Sequence, residues 1–387
     1  YPYYINYGSD YNITGNTVMN SKFGESGTGY AYIYYLYYIY NTYRSNNLFE
    51  DNVIKDNWSG YYFYGAQIYY YASWKINRNQ IVRNTTASNQ GYLYCFYLYY
   101  LYNLEFTSNL MANNVGYYGN YNIYTYNYNS GVTADIRQNT LHYNATYGSH
   151  FSYGYVMQES QSTVSFVGNV GDYTSPYYVY GAYLYNTSST NMKEVDRNTF
   201  YINVPNQYWC LATTGYSDYG SWRGDAKCGP NNRYDNPAWV SVTNTDFRSN
   251  CFEMANNVPT VSNVTKDALN ATRNIVRSDR GAVESYTDAA AVSTDFTVPS
   301  TVCAGWQASK SNIYIKNNFA DTIYNFYVAY SVNGKATRQL VTDKILPGAT
   351  QMVTFTTPIG LPIAANPTKI KIYLDIPDDN TKNDTLS

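Results

Sequence analysis

Residues 103–114 read NLEFTSNLMANN, and residues 133–144, thirty positions on, read TADIRQNTLHYN. Both place an apolar residue, an Asn three positions later, an apolar residue two beyond that, and a second Asn at the end. Outward from this pair the same Asn recurs at Asn16, Asn52, Asn79, Asn109, Asn139, Asn169 and Asn198, the last five intervals being 27, 30, 30, 30 and 29 residues. Three residues before each stands Ile13, Phe49, Ile76, Phe106, Ile136, Phe166 or Val195. Two residues after stands Val18, Ile54, Ile81, Met111, Leu141, Gly171 or Phe200. A second polar row follows at Asn57, Asn84, Asn114, Asn144, Thr174 and Asn203.

Each unit is too short to close a core alone, and none has helical periodicity. Such a repeat must stack its neighbours, which predicts an all-β chain built on a single-stranded parallel β-helix, a solenoid, whose right hand is implied by the resemblance given below. The Asn rows should mark bends, because Asn tolerates left-handed backbone and its amide both donates to and accepts from the coils above and below.

The aromatic bias follows the repeat. Of 52 tyrosines, 45 lie in residues 1–220. The segments LYYIYN (36–41), LYYLYN (98–103), NIYTYN (122–127) and GAYLYN (181–186) share one consensus. Strand alternation turns Ala182, Leu184, Ile123, Thr125, Leu101 and Ile39 inward and the tyrosines outward. Two columns are expected: Tyr40, Tyr69, Tyr102, Tyr126 and Tyr185, and beside it Tyr38, Tyr100, Tyr124 and Tyr183. These nine residues are the candidate binding face, for a second copy of the chain or for glycans.

Composition removes other classes. Lys and Arg (25) balance Asp and Glu (27), for a net charge of -2, so no basic field suits nucleic acid. The apolar-looking run YAYIYYLYYIY at 30–40 is more than half phenol and too short to span a bilayer. Five cysteines without CxxC spacing argue against zinc, and Cys210 with Cys228 is a candidate disulfide. The first residues, YPYYINYGSDYNITGN, lack the basic and apolar stretches of a signal peptide and fall inside a repeat, which reads as a mature or trimmed fragment.

The polar rows hold the candidate catalytic residues. Lys75, Glu105, Asp135, Ser165 and Glu194 form one outward column, in which Glu105 and Asp135 are a candidate carboxylate pair at glycosidase-like spacing; a salt-laced outer face explains the row equally well. His142 and His150 fit no Ser-His-Asp set. Arg223, Gly224 and Asp225 spell a three-residue adhesion-type motif that also arises by chance. Asp375, Asp378, Asp379 and Asp384 read as a solvated tail. No cofactor or metal is expected.

Beyond the repeat, Asn236, Pro237, Val240, Asp246, Phe247, Arg248, Asp267, Arg273, Gly281, Ala282 and Glu284 follow in order the closing segment of right-handed β-helix domains in secreted Bacteroidetes-type proteins, which this stretch resembles. From Cys303, Ile313–Asn317, YSVNGK (330–335), LPGAT (346–350) and NDT (383–385) resemble a CARDB-like immunoglobulin-type module. The chain thus divides into a β-helix over 1–285, regular to about 205 with an irregular closing segment over 206–285, a linker over 286–303, and an immunoglobulin-like β-sandwich over 304–387. The resemblance implies an extracellular location on a bacterial cell surface, with type IX secretion as the route. The expected function is a non-enzymatic surface or matrix protein that adheres or self-assembles through its tyrosines, without membrane insertion. The alternatives are a polysaccharide-active β-helix enzyme, lyase or glycosidase, and a glycan-binding module.

Overall fold

A computed structural model describes residues 2–6, 10–24, 29–37, 47–87, 91–127, 131–144, 151–159, 161–175, 177–249, 251, 254, 258–259, 264–273, 277–284, 289–295, 306–308, 311–319, 322–360, 368–375 and 384–386. They form two units, one comprising residues 1–248 and 257–284, the other residues 249–256 and 285–387.

The first unit is a parallel β-solenoid of about six turns. A tyrosine-rich sheet runs in spatial order through Tyr3–Asn6, Tyr30–Tyr37, Tyr62–Tyr69, Tyr92–Tyr99, Gly119–Asn127, Phe151–Glu159, Tyr178–Tyr185 and Asn206–Ala212. A second sheet stacks seven strands from Asn12–Thr14 to Met192–Asp196, and a third stacks seven from Thr17–Met19 to Thr199–Asn203. Neighbouring coils pair in the register that the repeat implies: Phe106 faces Ile136, and Met111 faces Leu141. The expected apolar rows therefore fill the interior.

The bend between the second and third sheets shows why the pattern holds. The ladder Asn is not itself left-handed; the residue before it is. Gly15, Asp51, Arg78, Ser108, Gln138, Gly168 and Arg197 all have φ between 53° and 68°. That turn aims the Asn side chain into the bend. Asn139 Oδ1 accepts from the Asn109 backbone N–H at 2.9 Å and from its Nδ2 at 3.1 Å. Asn139 Nδ2 donates to Phe106 O at 2.9 Å and to Asn169 Oδ1 at 3.0 Å. The same pattern runs from Asn16 to Asn198 and ends on Asn232, outside the repeat, which accepts both Asn198 donors at 3.0 Å.

The second bend changes along the solenoid. In the lower coils Asn20, Asp56, Arg83 and Asn113 are left-handed, and Asn57, Asn84 and Asn114 form a ladder like the first. In the upper coils the equivalent positions hold Tyr143, Tyr173 and Ile202, whose side chains are buried. A large side chain drawn inward replaces the turn, so Thr140–Asn144, Val170–Thr174 and Thr199–Asn203 run straight through it.

The closing segment lies on the third sheet and the first bend. Phe247, Ala268, Ala282 and Val283 cover Val82, Leu110 and Ala112. Arg273, fully buried, pairs with Glu284 and donates to Ser108 Oγ at 2.9 Å.

The second unit consists of antiparallel sheets of three and four strands around one apolar core that includes Ile313, Ile315, Val328 and Phe355. Strand Ala289–Thr294, inside the stretch read as a linker, pairs with Asn312–Asn317, so part of the linker is an edge of this unit. Asn333 and Gly334, with φ of 52° and 86°, join Phe326–Val332 to Lys335–Val341, a two-residue turn in which both residues must be left-handed.

Candidate functional site

The outer face of the tyrosine sheet follows from a break in strand alternation. In every coil two consecutive residues are buried at mid-strand: 33 and 34, 65 and 66, 95 and 96, 122 and 123, 154 and 155, 181 and 182. The outward pattern therefore reads Y-x-Y-x-x-Y-x-Y, as in YAYIYYLY (30–37), YLYCFYLY (92–99) and YVYGAYLY (178–185). Glycine serves where the kink leaves no room. A Cβ on Gly181 would lie 2.1 Å from the Trp209 ring, and one on Gly154 would lie 1.9 Å from the Tyr173 hydroxyl.

Four outward columns result, and the most regular is one that the YxYN consensus does not contain. Tyr32, Tyr64, Tyr94, Tyr121, Tyr153 and Tyr180 stack ring on ring, with centroids 4.7, 4.9, 4.5, 4.3 and 4.3 Å apart and interplanar angles of 1° to 13°. Tyr30, Tyr62 and Tyr92 form a shorter column at 5.0 and 5.3 Å. Columns touch sideways through edge contacts such as Tyr94–Tyr97 at 5.4 Å and 89°. The signal is in the sequence, as a tyrosine five residues before the last outward tyrosine of a strand: Tyr64 before Tyr69, Tyr94 before Tyr99, Tyr121 before Tyr126 and Tyr180 before Tyr185. It was missed because uninterrupted alternation turns those positions to the other face.

The expected columns are partly regrouped. Tyr38 and Tyr40 lie outside the described residues. Tyr69, Tyr126 and Tyr185 share a column, but the residue between Tyr69 and Tyr126 is Tyr99, and Gln158 precedes Tyr185. Tyr102 lies beyond the strand, with its N–H on Ala72 O. Tyr124 and Tyr183 share a column with Tyr97 and Val156. Tyr100 is the left-handed residue that ends its strand, edge-on to Tyr126 at 5.7 Å. The cause is connection length: Tyr99 precedes its ladder Asn by ten residues and Tyr126 by thirteen, so matching the YxYN text shifts that coil by three.

Stacking and burial act on the phenols together. Desolvation raises Tyr64, Tyr94 and Tyr121 far above the ordinary phenol range, reinforced by neighbouring tyrosines, and takes Tyr62 and Tyr99 up to about 12. The ring faces of each column cover one another, so what meets solvent is mostly ring edges and hydroxyls.

The carboxylate column is in register as expected, Lys75, Glu105, Asp135, Ser165 and Glu194. Its charges are paired: Lys75 Nζ lies 3.8 Å from Glu105, and Arg137 bridges Asp135 and Glu194. Burial raises Glu105, against the lowering effects of Lys75 and Asn77. Each carboxylate thus has a cation against it along the wall, Arg137 serving two of them, the arrangement of a salt-laced outer face.

Other candidates are absorbed structurally. His142 Nδ1 lies 2.8 Å from Asp172, which also accepts from Trp239 Nε1 at 2.8 Å, beneath the closing segment. His150 lies outside the described residues. Asp225 is hydrogen-bonded to Tyr216 and accepts from Lys227 N at 2.8 Å, so its carboxylate is turned to the protein. Cys210 and Cys228 are free thiols; each donates instead to a carbonyl, that of Ala212 at 3.4 Å and of Trp222 at 3.3 Å. No helix among the described residues is long and apolar enough to cross a membrane.

No family model, curated protein or solved structure matches the chain.

Proposed function

We propose that this is a non-enzymatic structural or adhesion protein of a bacterial cell surface or extracellular matrix, in which a right-handed β-helix binds a second copy of the chain through its tyrosine sheet. The C-terminal antiparallel sheets, read as an immunoglobulin-like sandwich of CARDB type, act as a spacer.

The observation that carries this reading is the use of ring faces. A sugar stacks on the flat face of an exposed aromatic ring, and here successive rings at 4.3–4.9 Å occupy those faces. The surface left is a row of edges and phenol hydroxyls. Such a surface is self-complementary, because edges of one copy fit against the columns of another in edge-to-face contact and each hydroxyl both donates and accepts.

The test is sedimentation velocity across a range of concentrations on the wild type and on Tyr97→Ser/Tyr124→Ser, which opens one column while retaining the ladder of Asn. Concentration-dependent association that the double variant loses supports the reading. A wild type that stays monomeric, or a variant that associates equally well, overturns it. Glycan binding by a monomer, or new reducing ends lost with Glu105→Gln, would establish the glycan-binding or the enzymatic alternative instead.

A further inference from the structure

The tyrosine sheet also has the geometry of a redox conduit. Its phenols are chemically alike, so transfer of an oxidised state from one to the next has almost no driving force against it. From Tyr32 to Tyr180 no step between ring centroids exceeds 4.9 Å. The Tyr153 ring stacks nearly parallel on Tyr121 and on Tyr180, both at 4.3 Å, and parallel phenols in register carry their hydroxyls side by side, which gives the proton a path beside the electron. Burial disfavours charged intermediates here, but a phenol and a neutral phenoxyl radical exchange without creating charge.

We propose that the stacked phenols relay one-electron oxidising equivalents along the sheet, from coil to coil, between exposed tyrosines at its two ends. An external one-electron oxidant removes an electron from a rim phenol, whose proton passes to solvent, leaving a neutral phenoxyl. The phenoxyl then takes an electron and a proton from the next tyrosine, restoring one phenol and creating one phenoxyl further along. The radical emerges at a solvent-facing residue such as Tyr30, which is 54% exposed. Two emergent phenoxyls on separate molecules can couple through ring carbons ortho to the oxygens, each ortho hydrogen moving to its oxygen, to give a dityrosine. The relay itself does not require association, so it stands or falls apart from the self-assembly proposed above.

One coil makes the proposal sharply testable. The outward positions of Phe151–Glu159 are Phe151, Tyr153, Val156 and Gln158. Tyr153 is thus the one outward phenol of that strand, between tyrosine-rich coils on either side. A Tyr153→Phe substitution keeps the ring and its stacking but removes the oxidisable phenol. Val156→Tyr would open a second route, because Val156 lies in register between Tyr124 and Tyr183.

For the experiment, a ruthenium–bipyridyl photo-oxidant is attached at Asn206→Cys, opposite Tyr178 in the neighbouring strand, with Cys228, Cys251 and Cys303 replaced by Ala. After flash oxidation, radicals are captured by a nitroso spin trap and their adducts located by peptide mass spectrometry. Unlabelled protein of heavy isotope composition, present in the same solution, reports transfer between molecules. Adducts on light peptides containing Tyr30 and Tyr62 are expected in the parent. They should be lost in Tyr153→Phe, kept in Tyr124→Phe, whose strand retains Tyr121 and Tyr126, and restored in Tyr153→Phe/Val156→Tyr. Far-end adducts absent from the parent, undiminished by Tyr153→Phe, or carried equally by heavy peptides would overturn the relay. Equal melting temperatures of parent and Tyr153→Phe separate loss of the conduit from loss of the fold.

Discussion

The Asn-lined bend and the tyrosine-lined sheet of the same solenoid hold its coils together in opposite ways. In the bend each side chain has fixed partners: Asn139 makes four hydrogen bonds, two to Asn109, one to Phe106 and one to Asn169. Every position from Asn16 to Asn198 is Asn. In the sheet the contacts are spread over whole rings, and Gln67, Val156 and Gln158 interrupt the columns without changing the register. Directional, buried bonds fix which residue lies over which, and stacking then supplies area without demanding identity.

The largest effect should come from titrating the sheet while leaving the bend untouched, since Asn does not ionise. Burial, with the neighbouring phenols, raises the tyrosines of the columns, Tyr62 and Tyr99 up to about 12 and Tyr64, Tyr94 and Tyr121 further, against an unfolded phenol near 10. The folded state therefore holds its phenol protons more tightly than the unfolded chain. This contribution is complete below about pH 10 and falls as pH rises from there through 12. The melting temperature should drop steeply over that interval, and phenolate absorbance should lag behind the titration of free tyrosine until the sheet unfolds. Phenolate appearing near pH 10 with the fold intact would mean that the columns are open to water.

A single truncation in the bend comes next. Asn139→Ala leaves the Asn109 N–H and the Phe106 carbonyl buried without partners, and each such loss costs about 1–3 kcal/mol. We expect about 3 kcal/mol by denaturant titration, against about 1 kcal/mol for Tyr121→Phe, which keeps the stack and removes one hydroxyl. Equal losses for the two would erase the distinction between fixed and distributed contacts.

The same distinction explains what could be read from the sequence. The ladder was legible because a bend that accepts only Asn writes its position into every coil, and the paired apolar rows followed from it. The sheet was legible as aromatic and outward, but not residue by residue. Tyr102 and Tyr100 were misplaced by a three-residue difference in connection length, and the Tyr32–Tyr180 column was hidden by the mid-strand phase break at Gly65, Cys95, Asn122, Gly154 and Gly181. Tyrosine tolerates either phase and so does not report it. The opening of the second bend at Tyr143, Tyr173 and Ile202 was likewise unread, because a tyrosine in a tyrosine-rich chain gives no sign that it points inward. Asn232 escaped because its coil departs from the repeat.

The smallest effect tests whether an interruption in a column is a flaw or merely a gap. Val156 sits on the outward side between Tyr124 and Tyr183 and is 3% exposed, sheltered by the large side chains around it. Placing a ring there by Val156→Tyr would join Tyr97–Tyr124 to Tyr183, in a lattice where the coil spacing already brings parallel rings within 5.1 Å. Two new stacked neighbours should add about 0.2–1 kcal/mol each, offset by the entropy of fixing one more side chain, about 1 kcal/mol. The net change in denaturation midpoint should be small and stabilising. A loss above about 1 kcal/mol, in the range of overpacked cores, would show that Val156 fills a shaped site and that the sheet, like the bend, specifies its residues one by one.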